Sequence, residues 1–323
     1  MCFDLSCTTD IVLSSILING KIFLLRLSLL ILSFVILSGC QNTGFYLANI
    51  ANDSDRNINK RDIYYGNESW QKLDIYYPEN VTQTSPVIVF YYGGSWRNGN
   101  KEDYAFVANR FTREGYIVII PDYVKYPPAV YPAFVEDAAL VSDWITKNAE
   151  DYAMDTSRLY LMGHSAGAHI GMMLIVDESY LAGYGLKPEV YRGFIGISGP
   201  YDFVPGSSRY RKIFGPEERY PQMQATNYID GSEPPMLLLT AGLDWLVADS
   251  NTDKVVTAVE HNGGQVSTKS YSSLGHLTII GSFSDSFPIG SNVSQDILTF
   301  INSLEGIDDV SFNHGDLLLE NTQ

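Results

Sequence analysis

Residues 158–176 read RLYLMGHSAGAHIGMMLIV. The first six form a short apolar run of strand type, and AHIGMMLIV at 168–176 continues as a helix-like run. Between them stands Gly163-His164-Ser165-Ala166-Gly167. A G-x-S-x-G pentapeptide between strand and helix makes a sharp turn that lifts the serine hydroxyl above the sheet edge. Glycines at 163 and 167 let chain segments pass close around Ser165. The helix that follows offers free N–H groups and a dipole favouring negative charge. This turn makes Ser165 the candidate nucleophile.

The chain on either side alternates strand and helix. Apolar runs predict buried strands at 86–92 (PVIVFYY), 116–121 (YIVIIP), 193–198 (GFIGIS) and 235–241 (PMLLLTA), and 266–272 reads as a further strand. Phe134, Ala138, Val141 and Ile145 recur at helical spacing within 132–148, and Pro132 suits a first helical turn. Further helices are expected over 249–262 and 293–304. Such alternation predicts an α/β domain of three layers, α/β/α, around a mostly parallel sheet. Residues 200–234 are polar, rich in Pro and Tyr, and without a clear strand, so they form a candidate cap.

A serine hydroxyl needs a base, and the base needs an orienting carboxylate. Of five histidines, His164 lies inside the turn, His169 one helical turn beyond it, His261 in a helix and His314 near the end. His276, in SLGH after the run 266–272, sits in a loop that can bring it over the serine. Asp244, in AGLDWLV just past PMLLLTA, falls at the carboxyl end of a strand, the ligand edge of an open α/β sheet. Asp202 and Asp249 are rival acids. Tyr92-Gly93-Gly94-Ser95-Trp96 also follows a strand, and its paired glycines allow backbone amides to approach a developing oxyanion. The amides of Gly93, Gly94 and Ala166 are the candidate donors.

Together YYGGSWRNGNK, IPDYVKYPPAVYPAFVEDA, GHSAGAH, AGLDWLV and SLGH, spread over residues 70–300, resemble the carboxylesterase/lipase branch of the α/β-hydrolases. That branch includes hormone-sensitive-lipase-like enzymes and bacterial feruloyl- and acetyl-esterases. The resemblance implies the α/β-hydrolase fold, a triad of Ser165, Asp244 and His276 in that chain order, an oxyanion hole from Gly93, Gly94 and Ala166, and neither metal nor organic cofactor. The expected substrate is a short-acyl carboxylic ester, small or linked to a polysaccharide. The family usually carries His before the paired glycines, where this chain has Tyr92. Two other readings are an arylformamidase-like amide hydrolase and a non-catalytic, envelope-anchored binding protein of the same fold.

Residues 21–40, KIFLLRLSLLILSFVILSGC, place Lys21 and Arg26 before the apolar run Leu27–Leu37 and then Ser38 and Gly39, the layout of a secretory signal. LSGC at 37–40 resembles the lipobox of bacterial lipoproteins, which implies cleavage before Cys40, lipid on Cys40, and an envelope location; Gln41 points to an outer membrane. An uncleaved membrane anchor is the alternative. The division expected is a signal over 1–39, a tether over 40–61, a catalytic domain over 62–305 and an acidic tail over 306–323. Cys2, Cys7 and Cys40 are the only cysteines, so the domain has no disulfide or thiol nucleophile. A net charge of −16 repels phosphate backbones and excludes nucleic acid as partner. The oligomeric state is not encoded in any of these patterns.

Overall fold

A computed structural model describes Phe45, residues 47–49, 59–82, 85–287 and 292–306. The elements below belong to the unit that runs from Ala48 onward. The export segment, Cys40 and the tail beyond 306 lie outside the described residues. Among the described residues, no helix is long and apolar enough to cross a membrane.

Eight strands make one sheet: β1 (Asn59–Tyr64), β2 (Lys72–Tyr76), β3 (Ser85–Tyr91), β4 (Ile117–Pro121), β5 (Met154–His164), β6 (Gly193–Ile197), β7 (Met236–Ala241) and β8 (Val266–Tyr271). Their order is β1-β2-β4-β3-β5-β6-β7-β8. From β4 to β8 every pairing is parallel, whereas β1 with β2 and β2 with β4 are antiparallel. The central strands are apolar on both faces, because helices cover both. The two antiparallel strands were not visible as apolar runs: NKRDIY and KLDIY are mixed in polarity. β1 also starts inside the expected tether, at Asn59. Asn49 likewise joins the domain, its side chain accepting from the Phe106 amide (3.0 Å) and donating to Asp103 O (3.0 Å).

The main helices are α1 (Ala105–Thr112), α2 (Ala133–Asn148), α3 (Ala166–Val176), α4 (Ser208–Phe214), α5 (Ser250–His261), α6 (His276–Gly281) and α7 (Val293–Leu304). Pro132 precedes α2 as its N-cap instead of occupying the first turn. Two neighbours in β6 show the layering. A Cβ on Gly193 would meet Leu304 of α7 at 2.7 Å, whereas Phe194 lies against Gly171 of α3, 2.9 Å from where its Cβ would be. Successive strand residues point to opposite faces, so α3 and α7 cover opposite faces, and the domain has three layers.

The topology makes the site. β3 has β4 on one side and β5 on the other, so the chain winds away from β3 in both directions. The loops after β3 and β5 therefore part and open a crevice at the carboxyl edge, where open α/β sheets bind ligands. The paired glycines follow β3, Ser165 follows β5, Asp244 follows β7 and His276 follows β8.

Candidate active site

Ser165 has φ 54° and ψ −121°, a strained conformation for a residue with a side chain, and one that costs about 1–2 kcal/mol. Packing enforces it. The Ser165 amide donates to Ile197 O at 2.9 Å, pinning the turn to β6. A Cβ on Gly167 would lie 2.0 Å from Tyr91 O, and one on Gly163 2.4 Å from Gly167 O. Both obstacles are backbone, so neither glycine tolerates a side chain there.

The structure brings Ser165, His276 and Asp244 together. Ser165 Oγ is 2.8 Å from His276 Nε2, and His276 Nδ1 is 2.7 Å from Asp244 Oδ2. An ionised carboxylate only accepts, so Nδ1 carries the proton and Nε2 presents its lone pair to the serine hydroxyl. Asp244 Oδ1 accepts from the amides of Leu246 (2.9 Å) and Val247 (3.0 Å). Burial pushes the Asp244 carboxyl upward, but the hydrogen bond from His276 and those two amides outweigh it and hold it below the usual carboxylate range. The rival acids lie elsewhere: Asp202 pairs with Lys254 at 2.6 Å, and Asp249 immediately precedes α5.

The loop after β3 presses against the nucleophile. A Cβ on Gly93 would sit 3.0 Å from Ser165 Cβ. The backbone then runs through positive φ at Gly94 (137°), Ser95 (54°) and Trp96 (57°). With no Cβ, Gly93 gives this loop its close approach to the serine. The Ala166 amide opens α3, where first-turn N–H groups have no acceptor within the helix. Tyr92, where the resembling family has His, donates its hydroxyl to Asp122 Oδ1. Its ring stacks on Tyr104 at 5.2 Å, and its carbonyl accepts from Tyr123 Oη at 2.9 Å. This network braces the loop from beneath.

His164 has a task that its neighbours in the sequence do not announce. Its Nε2 donates to the backbone carbonyl of His276 at 2.9 Å, fixing the start of α6, where the base stands, rather than the loop expected for it. His169 Nε2 does the same for Met223 O at 2.9 Å, tying α3 to the segment expected as a cap. That segment, with α4 and two short 3-10 stretches but no strand, closes on Trp96. Phe203 stacks on the indole at 5.8 Å, and Phe214 meets it edge-on at 4.7 Å. Among the described residues, no group of three His, Cys, Asp or Glu side chains is placed to hold a metal ion.

The two buried histidines give a pH prediction. Burial, reinforced by the neighbouring His276, lowers His164 to about 3, and burial lowers His169 to about 4. Unfolded histidine protonates near pH ~6.5. Between these values the unfolded chain binds more protons, so the stability present above about pH 6.5 is lost as pH falls toward 4. The pair is expected to remove about 4 kcal/mol between pH 7 and pH 5 in urea titrations. His169→Gln should lose only about half as much over that interval. Equal losses in the two proteins would show that His169 is not held neutral by the fold.

Comparison with known proteins places these features in context. The BD-FAE family model matches residues 73–259. Isoprenylcysteine alpha-carbonyl methylesterase ICME of Arabidopsis thaliana is 27% identical over 242 residues, covering 68% of this chain and 57% of that protein. The chain thus spans little more than half of that relative's length. Kynurenine formamidase of Danio rerio is 26% identical over 228 residues, covering 68% of this chain and 75% of that protein. Among solved structures, esterase B from Lactobacillus rhamnosis (HN001) superposes with a TM-score of 0.72 at 15% identity, covering 85% of this chain and 93% of that one. At that identity the likeness speaks for the fold: this is an α/β-hydrolase fold.

Proposed function

The chain belongs to the BD-FAE family, and from that premise we propose that it is a serine esterase hydrolysing short-acyl carboxylic esters through an acyl-enzyme. The observation that carries this reading is the relay from Asp244 through His276 to Ser165, at 2.7 and 2.8 Å, on the carboxyl edge of the sheet. In the reaction, His276 Nε2 takes the Ser165 proton as Oγ attacks the ester carbonyl. The amides of Gly93, Gly94 and Ala166 hold the tetrahedral oxyanion. Collapse expels the alcohol, which receives its proton from His276. Water then gives its proton to His276 and attacks the acyl-enzyme, releasing the acid and restoring Ser165.

The methylesterase named among the relatives supports ester chemistry. A short acyl group suits a cap whose aromatic side chains are spent on Trp96: Phe203, Tyr210 and Phe214 all pack there. The likeness to a formamidase favours a second reading, an amide hydrolase with the same relay. The assembled relay weighs against a non-catalytic binding protein. Turnover of p-nitrophenyl esters from acetate to palmitate, beside a formanilide, separates the readings. Best turnover at acetate to butyrate is expected. Turnover of the formanilide alone would move the protein to the amide class, and a maximum at palmitate would overturn the short-acyl preference. A fluorophosphonate probe should label the protein once, at Ser165.

We also propose that Cys40 carries lipid and anchors the chain to the cell envelope, on the strength of LSGC at 37–40. Labelled palmitate should enter the wild type and not Cys40→Ser; equal labelling of both would refute the anchor.

A further inference from the structure

Four large apolar side chains stand in water on the loop that carries the acid and on the first turn of α6, which carries the base. Leu243 is 62% exposed, Trp245 84%, Leu246 53% and Leu277 39%. Single exposed apolar residues are ordinary, but a group of them at one place marks an interaction site. Local geometry explains the arrangement. Asp244 turns inward, its side chain 2% exposed, and hooks Oδ1 onto the amides of Leu246 and Val247. The turn that buries the carboxylate leaves the side chains at 243, 245 and 246 outside.

The loop that leads to the base lies alongside. Leu243 N donates to Leu274 O at 2.8 Å, and a Cβ on Gly275 would be 3.9 Å from Leu243 Cβ. Leu277 follows His276 directly. The patch therefore borders the side of the site from which His276 acts.

The chemistry assigns that side to one part of the substrate. The leaving oxygen must receive the proton that His276 Nε2 took from Ser165, so the departing alcohol lies on the His276 side of the serine. We propose that Leu243, Trp245, Leu246 and Leu277 form the subsite for the leaving alcohol, and that this alcohol carries an aromatic ring. The inference rests on the esterase reading and adds to it the class of alcohol. An indole this exposed offers a full ring face for stacking. Its three leucine neighbours provide no hydrogen bond to a sugar hydroxyl, which favours an aryl group over a carbohydrate ring. The occupant is the substrate, because the patch is continuous with the residues that hold and deliver the proton.

The test compares kcat/KM for 2-naphthyl acetate and ethyl acetate, which share an acyl group and differ in the alcohol. Trp245→Ala should lower kcat/KM for the naphthyl ester about 10-fold, mainly through KM. Ethyl acetate, too small to reach the indole, should stay within about 2-fold, and Trp245→Phe should recover most of the naphthyl rate. An equal loss on both esters, or no loss on either, overturns the proposal. So does a loss that grows along ethyl acetate, butyrate and octanoate, which would give the patch to the acyl chain. Binding of wild type but not Trp245→Ala to phosphatidylcholine vesicles, with naphthyl kinetics unchanged, overturns it in favour of a lipid surface. A folded wild type that hydrolyses neither ester removes the esterase reading itself, an outcome distinct from all of these.

Discussion

Ser165→Ala is expected to lower kcat on p-nitrophenyl butyrate by about 10⁶-fold while leaving the protein folded. The hydroxyl is the atom that bonds to carbon, and no other residue can take its place: the domain has no cysteine, and His276 Nε2 faces Ser165 Oγ at 2.8 Å. The fold should survive because Oγ contributes one hydrogen bond at a half-buried position. The strained φ of 54° is imposed by the glycine contacts around it, and alanine accommodates it as serine does. A circular dichroism spectrum and urea midpoint matching wild type would establish that the loss is chemical. The activity that remains should be that of the oxyanion hole and substrate binding alone, about 10³-fold above uncatalysed hydrolysis. If Ser165→Ala keeps more than about 1% of wild-type kcat, another nucleophile is at work and the proposed mechanism is wrong.

The parts of this molecule that were legible in its sequence share one property: a local pattern is enough to specify them. RLYLMG and PMLLLTA are legible as strands because each is an apolar run bounded by glycine and too short for a buried helix. Ser165 stood out because the turn needs small residues at fixed offsets, and the contacts at Gly163 and Gly167 show why. β1 and β2 escaped notice because they lie at the margin of the sheet, where strands carry polar residues such as Lys60, Arg61, Lys72 and Asp74. Asp74 is itself wholly buried, next to Lys101 at 3.0 Å, so its polarity concealed a core position.

Within the site, what stayed hidden were pairings between residues distant in the chain. Nothing near His164 announces that its imidazole will hold the carbonyl of His276, 112 residues on. The stacking of Tyr104 on Tyr92 depends on where the loop after residue 100 returns. Tyr92 looked like a departure at a position that should hold His, yet Asp122, 30 residues away, gives its hydroxyl an acceptor. An aromatic ring with a hydrogen-bonding tip can brace this loop as an imidazole can, so the substitution preserves the task while changing the partner.

Asp244→Asn should cost about 10⁴-fold in kcat although it alters almost no volume, and the hydrogen bonds around the carboxylate explain why. Oδ1 accepts from two backbone amides, those of Leu246 and Val247, and Oδ2 accepts from His276 Nδ1. An asparagine has one accepting oxygen to share between these sides. Two amide donors outbid one imidazole, so the carbonyl oxygen should face Leu246 and Val247 and the NH₂ group should face Nδ1. His276 Nδ1 must then accept, which moves its proton to Nε2. An imidazole with Nε2 protonated has no lone pair for the Ser165 hydroxyl, and the base is disabled in the tautomer rather than in its position. In wild type this failure is avoided because the carboxylate, held below the usual range by the hydrogen bonds from His276, Val247 and Leu246, has two accepting oxygens, one for each side. Nitrogen-15 NMR of the His276 ring should therefore report an exchange of protonated nitrogen between wild type and variant, alongside the kinetic loss. A variant that keeps its proton on Nδ1, or that loses less than about 10-fold, would show that Asp244 positions the ring without selecting its tautomer.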